Sequence, residues 1–132
     1  MKIARSLLDE IVAHARDDVP NECCGVVAGQ NGEATRIYRA RNAEESPFRY
    51  VIHPSDQFRI TMEIEDQGEE IAAIYHSHTK SPAEPSQTDI NLAENWPDPL
   101  YLICSLADPG APLVRAWSIR DGSVEEVELD VD

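Results

Sequence analysis

The chain has 132 residues, 42% of them hydrophobic, which suits one domain with a modest core. Its 25 acidic residues outnumber 11 basic ones, and the formal charge of −14 repels phosphate backbones and anionic lipid, arguing against nucleic acid and membrane surfaces as partners. The start, Met1-Lys2-Ile3-Ala4-Arg5-Ser6, lacks the apolar run of a signal peptide, and the longest apolar stretch, around Leu100 to Leu106, is too short to span a bilayer.

Ser6-Leu7-Leu8-Asp9 reads as a capping box, and Leu7, Leu8, Ile11, Val12 and Ala15 recur at helical spacing until Pro20, predicting a first helix over roughly 6–18 with His14 near its exposed end. Gly25 to Ala28 and Thr35 to Ala40 are β-prone, and the Asn31-Gly32 pair between them signals a hairpin. A further strand is expected near Phe48 to Ile52. Pro54 and Ser55 open a second helix that ends near Gly68, with His53 just before it.

Ile71-Ala72-Ala73-Ile74-Tyr75 is a nearly continuous apolar run, the pattern of a strand covered on both faces, and it leads directly into His76. After a Pro-rich loop, Ser86 to Asn95 reads as a short helix, followed by closing strands at Leu100–Leu106, Val114–Ile119 and Val124–Leu129. No repeat, linker or composition shift divides the chain, so a single domain over 1–132 is expected, a mixed sheet flanked by helices. Three cysteines, Cys23, Cys24 and Cys104, cannot all pair, and the first two could bridge each other only under severe strain. A reduced, cytoplasmic setting is therefore expected.

The residues that carry chemistry follow the apolar strand. His76 and His78 are two apart, so both imidazoles point to one face while Ser77 points to the other, a ready pair of metal ligands or simply a polar strand rim. Ser86 and Asp89, three apart, resemble an ordinary helix cap, yet a cap would also hold the Asp89 carboxylate rigidly where it could meet a cation. Two neutral imidazoles and one carboxylate leave a divalent zinc ion with net charge and an open position, as a catalytic site requires. Nothing local distinguishes Glu22 from a solvated carboxylate.

Glu22, then His76-Ser77-His78, seven residues, Ser86, two more and Asp89 resemble the JAMM (MPN-type) metalloprotease motif in order and spacing. The resemblance extends to Pro20-Asn21-Glu22-Cys23-Cys24-Gly25 and Ile74-Tyr75 beside the histidines. Among such proteins the chain is most similar to the small bacterial Mec-type hydrolases that act on sulfur carriers. Thr79 departs from the proline that many members carry after the second histidine, which bears on substrate choice. The rival for a His-x-His strand end, a (β/α)₈ barrel, needs about 200 or more residues.

The resemblance implies an α/β, three-layer MPN fold with a mixed curved sheet flanked by helices. It implies one catalytic Zn²⁺ held by His76, His78 and Asp89, with Glu22 taking a proton from water and passing it to the leaving amine. Ser86 would donate to the oxyanion. The implied reaction is hydrolysis of the amide bond after the C-terminal Gly-Gly tail of a ubiquitin-like sulfur-carrier protein, releasing cysteine. Removal of ubiquitin-like tags from lysines, or a non-catalytic scaffold, are the alternatives. Cys23, Cys24 and Cys104 are expected away from the metal, and the oligomeric state is left open.

Overall fold

The structure, a computed structural model, describes residues 1–132. In chain order its elements are β1 (Lys2–Ile3), α1 (Arg5–Asp18), β2 (Cys24–Gln30), β3 (Glu33–Ala40), α2 (Pro54–Asp66), β4 (Glu70–His78), α3 (Gln87–Ala93), β5 (Leu100–Ser105), β6 (Leu113–Arg120), β7 (Ser123–Val127) and β8 (Asp130–Val131). All strands join one mixed sheet in the order β7-β6-β5-β4-β2-β3-β1-β8. Its parallel pairs are β4–β5, β1–β3 and β1–β8. Only Glu128 and Leu129 separate β7 from β8, although these strands lie at opposite edges, so the sheet must curl until its edges approach.

Side-chain alternation along the strands builds the layers. Val26 and Ala28 of β2, Ile74 of β4 and Tyr101 and Ile103 of β5 point to one face, where they pack with Ile60 and Ile64 of α2 and Ala93 of α3. Their neighbours Val27, Ala73, Tyr75, Leu102 and Cys104 point to the other face, where Leu8, Ile11 and Ala15 of α1 cover them. The result is the expected helix–sheet–helix α/β sandwich around a mixed, curved sheet. Both faces of β4 are buried, which is why its apolar run is continuous rather than alternating.

The hairpin reading is borne out: Asn31 and Gly32 have φ of 53° and 79°, and Gln30 pairs with Glu33 across a two-residue turn of the mirror-image type that matches strand twist. Three expectations need correction. Helix α1 begins at Arg5 with Ala4 as its cap and no side-chain cap bond, so the Ser6–Asp9 box does not form there. Residues 48–52 are not a strand; that segment makes a single bridge, Asn42 to Ile52, and is otherwise a loop held by side chains.

The third concerns His14, which is buried rather than exposed. A side chain at Gly25 would collide with the Tyr38 carbonyl and the Tyr75 ring, and its absence lets Tyr75 lie across β2. The Tyr75 hydroxyl thereby reaches His14 Nδ1 at 2.6 Å, while Asp18 lies 3.3 Å from His14 Nε2. Burial lowers the His14 pKa against the pull of Asp18.

Candidate functional site

Strand parity places the histidines. His76 and His78 continue the Ile74 side of β4, so their rings face the layer that contains α3, and Ser77 turns to the α1 side. Strand β4 runs three residues further than its apolar run predicts, so both histidines are buried strand residues and not exit residues. The β4–α3–β5 crossover returns the chain parallel to β4 and sets the N-terminus of α3 beside the carboxyl end of that strand.

Ser86 caps α3. Its Oγ accepts from the Asp89 N–H at 3.1 Å, and its own N–H donates to Asp89 Oδ2 at 3.0 Å, a reciprocal capping box. Asp89 is thereby fixed at the N-terminal turn and is almost completely buried. Its Oδ2 also lies 2.9 Å from His78 Nε2 and 3.2 Å from His76 Nε2, and those two nitrogens are 3.3 Å apart. Burial would raise the Asp89 pKa, but the two histidines and the Ser86 N–H outweigh it and hold the carboxyl well below the usual range.

This triangle suits a cation. His78 Nδ1 lies 2.7 Å from the Pro82 carbonyl, which can only accept, so Nδ1 carries the hydrogen and a neutral His78 presents a bare lone pair at Nε2. Two imidazole nitrogens and a carboxylate oxygen then converge within 3.3 Å, a set held together by a shared proton or by a metal cation among them. Four ligands tetrahedrally disposed at about 2.0 Å stand about 3.3 Å apart, so these edges match one face of a zinc-like site. The three residues form a buried group able to hold a metal ion. The three cysteines are free, buried and outside that group, and burial pushes the Cys23 thiol up to about 12 and Cys104 to about 11.

Glu22 joins them from the chain segment just before β2. It is 3% exposed, and its Oε1 has no hydrogen-bond partner. Desolvation raises its pKa to about 8, with His78 pulling down and Asp89 pushing up. Glu22, His78 and Ser86 line one cleft of about 650 Å³ that opens to solvent. All five motif residues are thus brought to one place, although Glu22 stands 54 residues before His76 in the chain.

Sequence reasoning missed the groups that support this constellation. Asn42 is buried and donates to the carbonyls of Glu22 and Arg49, while its Oδ1 accepts from Glu44 and Val51, which ties the 42–51 loop beneath Glu22. Tyr50 on that loop stacks on His76, with centroids 4.3 Å apart. Ser77 Oγ accepts from the Cys23 N–H at 2.8 Å, locking the residue next to Glu22 onto β4. Asn42 and Tyr50 lie outside the motif, where side-chain periodicity does not reveal a loop's contacts, and Ser77 lies within it but on the opposite side of β4 from the histidines.

Residues 4–120 match the model for prokaryotic homologs of the JAB domain. The chain belongs to this JAMM/MPN-type family. It is 40% identical to the CysO-cysteine peptidase of Mycobacterium tuberculosis over 131 residues, covering 98% of this chain and 89% of that protein. It is 35% identical over 130 residues to the probable TtuB-protein conjugate cleaving protease of Thermus thermophilus, covering 98% and 81%. The solution structure of a Desulfitobacterium hafniense protein superposes with a TM-score of 0.90 at 31% identity, covering 100% and 93%. A JAB1/MPN domain protein of Archaeoglobus fulgidus shares the fold, with a TM-score of 0.67 at 21% identity over 99% and 98% of the two chains. The family chain is accordingly a peptidase-type hydrolase, with His76, His78 and Asp89 as its possible metal site.

Proposed function

We propose that the protein is a zinc-dependent peptidase that hydrolyses the amide bond after the C-terminal Gly-Gly tail of a ubiquitin-like sulfur-carrier protein, releasing cysteine for biosynthesis in the cytoplasm. The observation that carries this reading is the convergence of His76 Nε2, His78 Nε2 and Asp89 Oδ2 beside a cleft that also holds Glu22 and Ser86. The 40% identity to a protein named CysO-cysteine peptidase supports the substrate class. Free, buried cysteines suit a reducing setting, and no helix is long and apolar enough to cross a membrane. Residues 1–132 are proposed to act as one domain.

His76, His78 and Asp89 would hold the ion, which when bound supplies Lewis acidity toward the scissile carbonyl and makes water a stronger acid. The Glu22 carboxylate accepts the proton of the attacking water and delivers it to the amine as the carbon–nitrogen bond breaks. Its unpartnered Oε1 leaves an acceptor ready for that proton. Ser86 Oγ already accepts from the Asp89 N–H, so its hydroxyl hydrogen remains free to donate to the oxyanion.

These two roles of Ser86 separate by substitution. Ser86→Ala is expected to lose on the order of 10²-fold in turnover and about 1 kcal/mol in stability. Ser86→Gly, which caps almost as well as serine, should lose the same turnover while its melting temperature stays close to that of the unsubstituted protein. A Ser86→Gly variant with full turnover would confine Ser86 to the cap.

The loop between His78 and α3 comprises only residues 79–86, and this short connection suits a slender tail better than a bulky grip. A second reading, cleavage of ubiquitin-like tags from lysines, is favoured by the relative named as cleaving TtuB-protein conjugates. Gly-Gly-tailed carriers bearing either a C-terminal cysteine or a lysine isopeptide, incubated with and without chelator and followed by intact mass, test both. Loss of the cysteine, blocked by chelator, is expected; cleavage of the isopeptide alone would reverse the ranking.

A further inference from the structure

The catalytic cleft contains one cation that the mechanism does not use. Lys80 lies two residues beyond His78 and lines the same cleft as Glu22, His78 and Ser86. No other lysine or arginine lines it. Lys80 is exposed, and none of the molecule's ion pairs engages it, whereas the chain's other lysine, Lys2, lies 3.7 Å from Asp132. A free ammonium is notable in a chain with 25 acidic residues and only 11 basic ones, in a cleft whose lining includes the buried Glu22.

Resting on the reading of the protein as a releaser of a C-terminal amino acid, we propose that Lys80 is a specificity-determining residue that binds the free α-carboxylate of that amino acid. The chemistry of the leaving group supports this. In a C-terminal amino acid the carboxylate sits on the carbon attached to the scissile nitrogen, so it enters the cleft beside the reacting atoms. An incoming anion there meets the Glu22 carboxyl that lines the cleft, and an unpaired ammonium is what offsets that repulsion. The four-carbon stem of lysine lets the charge follow the carboxylate without a fixed geometry. A lysine isopeptide puts no carboxylate at that point, since the side-chain methylene groups separate its nitrogen from the backbone. Lys80 therefore selects free C-terminal residues over isopeptides, and a capped leaving group forfeits the contact.

The experiment compares kcat/KM for two conjugates of one Gly-Gly-tailed carrier, one ending in cysteine with a free carboxylate and one ending in cysteine carboxamide. With wild-type protein the acid-to-amide ratio is expected to be about tenfold, the scale of a hydrogen bond to a charged partner. It should fall to about one in Lys80→Met, whose side chain has a similar length without the charge, and recover in Lys80→Arg. The ratio should also shrink as salt is raised, because the contact is exposed. A wild-type ratio near one, or an unchanged ratio in Lys80→Met, would overturn the assignment and leave the peptidase reading standing. Failure of wild-type protein to cleave either conjugate, with the lysine isopeptide cleaved, would overturn both.

Discussion

Glu22→Gln is expected to retain one metal ion per chain and lose about 10³-fold in turnover, within the range that a positioned general base supplies. The substitution preserves shape and removes only the ability to take and give a proton. Glu22 is buried, its Oε1 is unpartnered, and it belongs to none of the contacts that form the His76–His78–Asp89 triangle. Metal content should therefore be indifferent to it. Desolvation lifts the Glu22 pKa from 4.5 to about 8, and a cation in the triangle acts in the opposite direction by favouring the charged carboxylate. A base works when deprotonated, so activity should rise with pH through a limb between those two values, and that limb should vanish with Glu22→Gln. Turnover and bound metal measured on one preparation decide the matter: a variant with its metal and most of its activity would remove Glu22 from the mechanism.

His78→Ala is expected to fail differently, losing the metal and with it all activity above background. Two contacts disappear together. The Nε2 lone pair leaves the triangle, and the hydrogen bond from Nδ1 to the Pro82 carbonyl, which sets the tautomer, is lost. Loss of a residue that merely orients a ligand typically costs 10–100-fold in metal affinity, so removal of a ligand should exceed about 10²-fold. A vacated imidazole in a buried site also risks destabilisation. Asp89→Asn, which keeps volume and a side-chain oxygen for the Ser86 N–H, supplies the control: it should fold, and still bind metal more weakly. Equilibrium titration with zinc in a competing chelator measures both variants.

The parts of the site differ in how they were legible. Period-two alternation alone put His76 and His78 on one face, and the same parity on both sides of β4 brought that face against α3. Ser86 and Asp89 gave an ambiguous signal in the sequence, and the structure shows why: the cap and the triangle use the same Asp89 oxygen. Glu22 could be singled out only by family resemblance, because its proximity to His78 is created by the pairing of β2 with β4, which no local pattern encodes.

The rest escaped for physical reasons. Strands β1 and β8 are two residues long, too short to show periodicity, and exist because they pair with each other. The Phe48–Ile52 segment reads as a strand in the sequence, but Asn42 satisfies the backbone of Arg49 and Val51 from the side and removes the need for a ladder. His14 looked exposed by position, and only the gap left by Gly25 allows Tyr75 to bury it.

Zinc K-edge X-ray absorption on active, as-purified protein tests the central claim most directly. One zinc per chain with only nitrogen and oxygen neighbours at about 2.0 Å, lost together with activity in His78→Ala, is the predicted result. Full activity with no bound metal, or a sulfur shell near 2.3 Å that places the ion on the cysteines, would contradict it.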